Sequence, residues 1–563
     1  MAALPDSPQA ALAPQALDRL AAELLVVRCS GHPADGQRRY PRWELDNASL
    51  QRLLLRGVGG VILLGGSAAE LRLRTRQLEA WAGAPLLLCA DVEEGVGQRF
   101  EGASWLVPPL ALARIHAEDP ALALDLARRY GACTGREARQ LGLNWVLAPV
   151  CDVNNNPANP VINVRAWGED PATAGALAAA FCRGVQAEGV LACAKHFPGH
   201  GDTASDSHLE LPLIPHGRER LEAVELPPFR EAIAAEVAAV MTAHLLLPAF
   251  DRDHPATLSR AVLTGLLRQE LGFEGLIVTD ALVMEAIAGR YGPSEAAVLA
   301  LEAGADLVLM PGDADGAIDA IVAAVASGRL GLEQLQASQR RRRRALERCP
   351  ADDGGTAPAP LGGLSNGPAP ADRALALELV RRSLVSRGRG PAPGGPGVNL
   401  IRLDNSLACP FLPAGAPALA LPAAAGLRTC LMDGQGPSPW SGDGEAPLAL
   451  ERLGEGPVLL QLFVRGNPFR GRADGPDPWP AVIRQLQAAG RLAGLAVYGS
   501  PYAWEALAAL LDPQVPAAWS PGQMALAQGE LLGRLGFGPQ ESATPDDDAS
   551  TAASAATAVD FTD

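Results

Sequence analysis

Eight short apolar runs, set apart by longer segments, constrain this chain more than any other feature. They are Leu24 to Val27, Gly60 to Leu64, Leu86 to Ala90, Trp145 to Val150, Leu191 to Lys195, Ala239 to Leu246, Leu276 to Thr279 and Leu307 to Met310. Most are bounded by Gly, Pro, Asp or Asn, the pattern of strands buried on both faces. Stretches such as Pro120 to Leu141 and Glu169 to Gly189 are long enough to be the intervening helices. Eight strands alternating with helices point to an α/β fold, a TIM-like (β/α)8 barrel. A doubly wound sheet is the rival that this pattern alone leaves open.

The chain has 563 residues, more than the runs occupy. From Asp352 to Ala371 it is dense in Gly, Pro and Ala, and this reads as a linker. Beyond it a helix over Arg373 to Val385 is expected, with strands at Val398 to Leu403, Val458 to Val464 and Leu495 to Val497. The predicted organisation is therefore a TIM-like barrel over 1–349, a linker over 350–371, a smaller α/β domain over 372–538 and a disordered acidic tail over 539–563. The run Arg340 to Arg344 falls on a predicted helix, Leu332 to Arg348. Successive helical arginines spread over all faces, so the run reads as a solvated helix end near the C-terminal dipole.

Hydrophobic residues make up 48% of the chain and charged residues 20%, as in a globular protein with a large core. A net charge of -16 argues against nucleic acid or an anionic membrane as partner. The nine cysteines contain no C-x-x-C pair, and Cys89 and Cys193 sit in apolar runs, where a thiol acts as a small hydrophobe. A reducing compartment fits best. No signal-peptide pattern and no apolar run of ~18 residues is seen, so a cytoplasmic location is expected.

A barrel enzyme carries its chemistry at the C-terminal ends of its strands. Polar residues fall there on five consecutive runs. Asp91 follows the third, with Glu93 and Arg99 close behind; Asp152, Asn154 and Arg165 follow the fourth. Lys195 and His196 end the fifth, His244 lies in the sixth, and Asp280 closes the seventh. On pattern alone, Asp280 reads equally as a nucleophile or as an N-cap for a helix starting at Ala281.

The stretch Ala194 to His208, AKHFPGHGDTASDSH, resembles the signature of glycoside hydrolase family 3 in its β-N-acetylglucosaminidase branch. The segments Gly59 to Leu63, Gln98 to Phe100, Ala148 to Val153, Asn159 to Ile162 continuing to Arg165, and Val278 to Leu282 carry the same resemblance. It covers roughly residues 50 to 350. Further on, Gly499 to Tyr502 is similar to members with an extra α/β sandwich.

The resemblance implies a retaining exo-β-N-acetylglucosaminidase working through a covalent intermediate on Asp280. His208 would be acid and then base, with Asp206 as its partner on a mobile loop. Gly199, Gly201 and the small residues from Thr203 to Ser207 would permit that motion. Substrate binding is implied for Asp91, Arg99, Arg165, Lys195 and His196, while His200 is expected to shape the loop. The implied partner is a small carbohydrate, an N-acetylglucosamine glycoside such as a cell-wall fragment. No cofactor and no metal are expected, since the histidine spacing matches no common zinc motif. Ala281 and Glu94 depart from the usual family pattern and bear on substrate preference. A β-glucosidase or xylosidase, a phosphorylase, and an inactive sugar-binding barrel are the other readings of the same residues.

Overall fold

The computed structural model describes residues 12–203, 205, 207, 209–350, 367–388, 395–403, 412–432, 439–441, 443, 445–465 and 478–538. The segments read as linker core and acidic tail lie outside these residues.

All eight apolar runs contribute strands: β1 (Leu25–Ser30), β2 (Gly60–Leu64), β3 (Leu87–Ala90), β4 (Trp145–Val146), β5 (Cys193–Phe197), β6 (Ala239–Thr242), β7 (Leu276–Val278) and β8 (Val308–Leu309). Hydrogen-bonded order is β4-β3-β2-β1-β8 in one sheet and β5-β6-β7 in another, with every pairing parallel. Bridges Trp145↔Leu191 and Val278↔Leu307 join the two arcs into a closed ring. The barrel replaces the open-sheet alternative because β8 returns to pair with β1, Leu25 against Val308 and Val26 against Leu309.

β4 is shorter than its apolar run, yet the run stays in contact with β5. Val146 donates to the Leu191 carbonyl, Cys193 to that of Ala148, and Lys195 to that of Pro149. Strand side chains are fully buried, among them Val61, Leu87, Leu88, Trp145, Val240 and Ile277. Each such aliphatic side chain contributes about 1.5–3 kcal/mol on leaving water. Helices Pro120–Gln140 and Pro171–Ala187 pack as a pair outside, each capped by the preceding aspartate, Asp119 or Asp170. Gly131 and Gly184 lie at their crossing, where a Cβ would come within 2.3 Å and 2.1 Å of the facing backbone.

The arginine run departs from expectation. Helix Leu332–Glu347 lies along the bottom of the barrel, and two of the five arginines turn inward. Arg342 is 8% exposed and donates to the carbonyls of Gly59 and Pro85, while Arg341 pairs with Asp306 at 2.9 Å. The loops under the strands leave carbonyls that only a long cationic donor reaches, so part of the run is structural rather than solvated.

The second unit is a six-stranded sheet of order β11-β10-β12-β13-β14-β9. Its strands are β9 (Val385–Arg387), β10 (Gly397–Arg402), β11 (Leu427–Met432), β12 (Val458–Val464), β13 (Leu492–Gly499) and β14 (Ala517–Ser520). Only β9, at the edge, runs antiparallel. Separate apolar cores fill the two faces of the sheet. The predicted helix at Arg373 to Val385 is observed as Pro370–Ser383, and its Leu375, Leu379 and Val380 enter the core of the barrel. Among the described residues, no helix is long and apolar enough to cross a membrane.

Candidate active site

Two buried polar networks occupy the C-terminal mouth of the barrel. In the first, Lys195 Nζ lies 2.7 Å from Asp91 Oδ1 and 2.7 Å from Glu93 Oε1. Glu93 also accepts two parallel bonds of 2.8 Å from Arg165 Nε and Nη2, and Arg165 Nη1 donates to the Val161 carbonyl at 3.0 Å. Two cations and two carboxylates thus form one chain of zero net charge. Burial alone would raise the Glu93 carboxyl, but Arg165 and Lys195 outweigh it and hold it well below the carboxylate range. Burial would likewise lower Lys195 and Arg165, and their carboxylate neighbours raise both instead. All three therefore stay charged at neutral pH.

Asp91 is the open end of this chain, its side chain 36% exposed against 4% for Glu93. Arg99 sits beside it, its Nε donating to the Asp91 carbonyl at 3.0 Å.

The second network centres on Asp152, which is fully buried. Its Oδ2 lies 2.7 Å from His196 Nδ1, and its Oδ1 accepts from the backbone N–H of His196 and of His200. Burial would raise this carboxyl, but His196 outweighs it and the net shift is downward. A carboxylate on Nδ1 keeps the proton there and leaves His196 Nε2 for a ligand.

The segment after β5 is anchored rather than loose at its root. Asn159 Nδ2 donates to the carbonyls of His200 and Gly201 at 2.8 Å, and its Oδ1 accepts from the Val161 and Ile162 amides. A Cβ on Gly201 would lie 1.7 Å from the Val153 carbonyl oxygen. This glycine therefore serves close approach, where its sequence reading had been freedom of movement. His200 is 2% exposed, with Nδ1 2.8 Å from Thr203 Oγ1 and Nε2 3.0 Å from Ser207 Oγ. Because Thr203 Oγ1 also donates to the His200 carbonyl, it accepts from His200 Nδ1–H, and Ser207 donates to Nε2. Asp206 and His208 lie outside the described residues; Ser207 between them is the tether.

Burial pulls His200 from its ordinary 6.5 down to about 4. The folded state holds the neutral ring, so its contribution to stability is complete above the unfolded value and is lost as pH falls toward about 4. The slope reaches about 1.4 kcal/mol per pH unit. Melting temperature is expected to fall between pH 6.5 and 4, and less steeply in His200→Gln. Equal slopes in the two proteins would remove His200 from the account.

Asp280 stands two residues beyond β7, and its Oδ1 accepts from the Ala281 N–H at 2.7 Å. The following helix starts only at Glu285, with Met284 at its N-cap, so Asp280 caps no helix. His244 backs this turn, with Nε2 3.1 Å from the Ala281 carbonyl and Nδ1 2.8 Å from Thr257 Oγ1.

The second unit reaches the same end of the barrel. Arg465 Nη2 donates to Glu94 Oε1 at 2.6 Å, and Tyr502 Oη accepts from Asn154 Nδ2 at 2.7 Å and donates to Glu169. Burial and then the Glu169 carboxylate push the Tyr502 phenol well above its usual value. Elsewhere, Cys133, Glu137 and Asp372 bring three potential metal ligands within 4.8 Å of one another. Ser104 occupies both oxygens of Glu137, and Arg136 pairs with Asp372, so this cluster is a joint between helices.

Of the residues singled out in sequence, the structure joins Asp91 and Lys195 directly, and Arg165 to them through Glu93. It sets His196 on Asp152 and keeps Arg99 against the Asp91 backbone. Glu93 and Asp152 were visible as strand-end carboxylates, but only packing shows that they organise the cations.

The chain matches the model for the Glycosyl hydrolase family 3 N terminal domain over residues 17–345, and that for the Bacterial Glycosyl hydrolase family 3 C-terminal domain over 393–536. It is 36% identical over 276 residues to a protein named "Beta-hexosaminidase A" of Pseudoalteromonas piscicida, covering 45% of this chain and 46% of that one. It is 35% identical over 288 residues to a "Beta-N-acetylglucosaminidase/beta-glucosidase" of Cellulomonas fimi, covering 49% and 50%. The chain thus spans about half the length of these curated relatives. A solved family 3 β-N-acetylglucosaminidase from Paenibacillus sp. str. FPU-7 superposes with TM-score 0.76 at 30% identity, covering 93% of this chain and 97% of that one. Closed barrel, strand-end site and both domain models agree that the chain belongs to glycosyl hydrolase family 3.

Proposed function

We propose that the protein is a retaining exo-β-N-acetylglucosaminidase that releases terminal N-acetylglucosamine from its glycosides. The observation that carries this reading is the pair of buried networks that aim Lys195, His196, Asp91 and Arg99 at one mouth, with Asp280 just beyond the end of β7 on the same face of the barrel. Ring hydroxyls meet the second oxygen of Asp91, the remaining Lys195 proton, the Arg99 guanidinium and His196 Nε2. Arg165, with three N–H bonds committed inside the protein, acts mainly by holding Glu93 and through its remaining donors.

Asp280 attacks the anomeric carbon as His208, oriented by Asp206, gives its proton to the departing oxygen. The product is a glycosyl ester on Asp280. His208, now neutral, takes a proton from water, whose oxygen attacks the same carbon and releases Asp280. The names of the relatives support the N-acetyl sugar. The proposed location is the cytoplasm, with cell-wall fragments as substrates; free thiols at all eight described cysteines are in keeping with a reducing compartment.

Aryl N-acetyl-β-glucosaminide and aryl β-glucoside, each with and without phosphate, test the proposal. N-acetylglucosaminide turnover is expected to exceed glucoside turnover by at least about tenfold, with release of free sugar in both buffers. Preference for glucoside would replace the substrate, glycosyl phosphate would replace hydrolysis, and no turnover at all would end the enzyme reading.

A further inference from the structure

The second domain presents three strand ends to the barrel. Arg465 follows β12, Tyr502 follows β13, and Trp519 lies in β14 beneath the Arg114 guanidinium at 4.5 Å. Their partners are not scattered. Glu94 belongs to the loop after β3, between Glu93 and Arg99, and Asn154 to the loop between Asp152 and Arg165. These two loops carry the walls of the sugar pocket.

Glu94 is the node of the first loop. Its side chain is 1% exposed, Oε1 on Arg465 at 2.6 Å and Oε2 on the Trp105 indole N–H at 2.9 Å. Its own N–H donates to Gln98 Oε1, and its carbonyl accepts from Leu106. Arg465 is 7% exposed. A buried ion pair has little to add to net stability, but it fixes geometry, because each charge tolerates only its partner. The residue before Glu94 is the carboxylate that holds Lys195 and Arg165. A shift at Glu94 therefore moves Glu93, and with it the cations that face the sugar.

We infer that Arg465 is a positioning residue for the sugar site: the second domain, through the Arg465–Glu94 pair, sets the loop that carries Asp91, Glu93 and Arg99. This rests on the proposed function for the identity of the ligand, but the positioning itself does not.

The full chain tests it with Arg465→Met, Glu94→Gln, their combination, and Arg114→Met, which removes the rim pair of Arg114 with Glu505 and its contact with the Trp519 ring. Each of the first two single variants is expected to raise KM for aryl N-acetylglucosaminide at least about tenfold, with kcat within about threefold. Inhibition by free N-acetylglucosamine should weaken by the same factor. The combined variant should match the single variants within about threefold, since the contact that sets the loop is absent in all three. Arg114→Met should stay within about twofold, because its contacts with Glu505 and Trp519 join the second domain to helix Leu110–Glu118 and not to the 91–100 loop. Hydrogen exchange of the 91–100 amides should quicken at least about tenfold in Arg465→Met, with 276–281 unchanged.

Kinetics within twofold of wild type in Arg465→Met, or an equal loss in Arg114→Met, would overturn the inference. So would unchanged exchange at 91–100. If the wild type turns over no N-acetylglucosaminide, the functional proposal fails, and the exchange measurement still decides the positioning role.

Discussion

Asp280→Asn is expected to lower kcat by at least about 10⁴-fold while leaving the fold intact. The fold survives because the amide oxygen can still accept from the Ala281 N–H, as Oδ1 does now at 2.7 Å. What is lost is the charge: a neutral amide neither forms the glycosyl ester nor balances the positive ring of the transition state. Asp280→Gly with added azide gives a sharper result. Azide entering from the vacated face should yield the α-glycosyl azide from a β-glycoside, a product that names both the nucleophile and the face of attack. Activity of Asp280→Asn within tenfold of wild type, at unchanged melting temperature, would remove Asp280 from that role.

Glu93→Gln is expected to destabilise the protein by about 3–5 kcal/mol, the range for breaking a buried ion pair from one side. The carboxylate now balances Lys195 at 2.7 Å and Arg165 at 2.8 Å, all within the buried mouth. Glutamine keeps the shape, removes the charge, and turns an N–H₂ group toward donors that have no use for it. The surplus positive charge is left buried. Scanning fluorimetry should record a fall of roughly 5–10 °C. Glu93→Gln/Arg165→Met should recover part of it, since one cation leaves with the anion. A single variant that melts with wild type would mean that the network contributes little to stability.

The barrel was legible because eight buried strands need apolar side chains on both faces, and a short apolar run shows this directly. The second sheet was less so. β14 reads Ala-Ala-Trp-Ser and β11 is buried only at its two ends, so neither forms the apolar run that marked β10, β12 and β13. They are strands because neighbours such as β13 and β10 offer a free edge to pair with. Propensity yields to tertiary pairing there. The arginine run shows the same limit, since helical spacing says which face a residue occupies and not which loop carbonyls lie below it.

Sequence by itself determined the eight strands, the strand ends at which polar residues gather, and the identities of Asp91, Lys195, His196 and Asp280 as candidates, while closure of the strands into a barrel waited on the pairing of β8 with β1. Those follow from local chemistry: apolar period, turn residues, and charged groups in places that burial would otherwise exclude. Tertiary structure alone decided which charges meet. Glu93 sits 72 residues from Arg165, Asp152 lies 44 from His196, and Glu94 lies 371 from Arg465. A buried charge is stable only with a partner at contact distance, and contact across such separations is set by how strands close and domains dock. That is why the charged residues could be named from the sequence while their pairing, and the reach of the second domain into the site, had to be read from the fold.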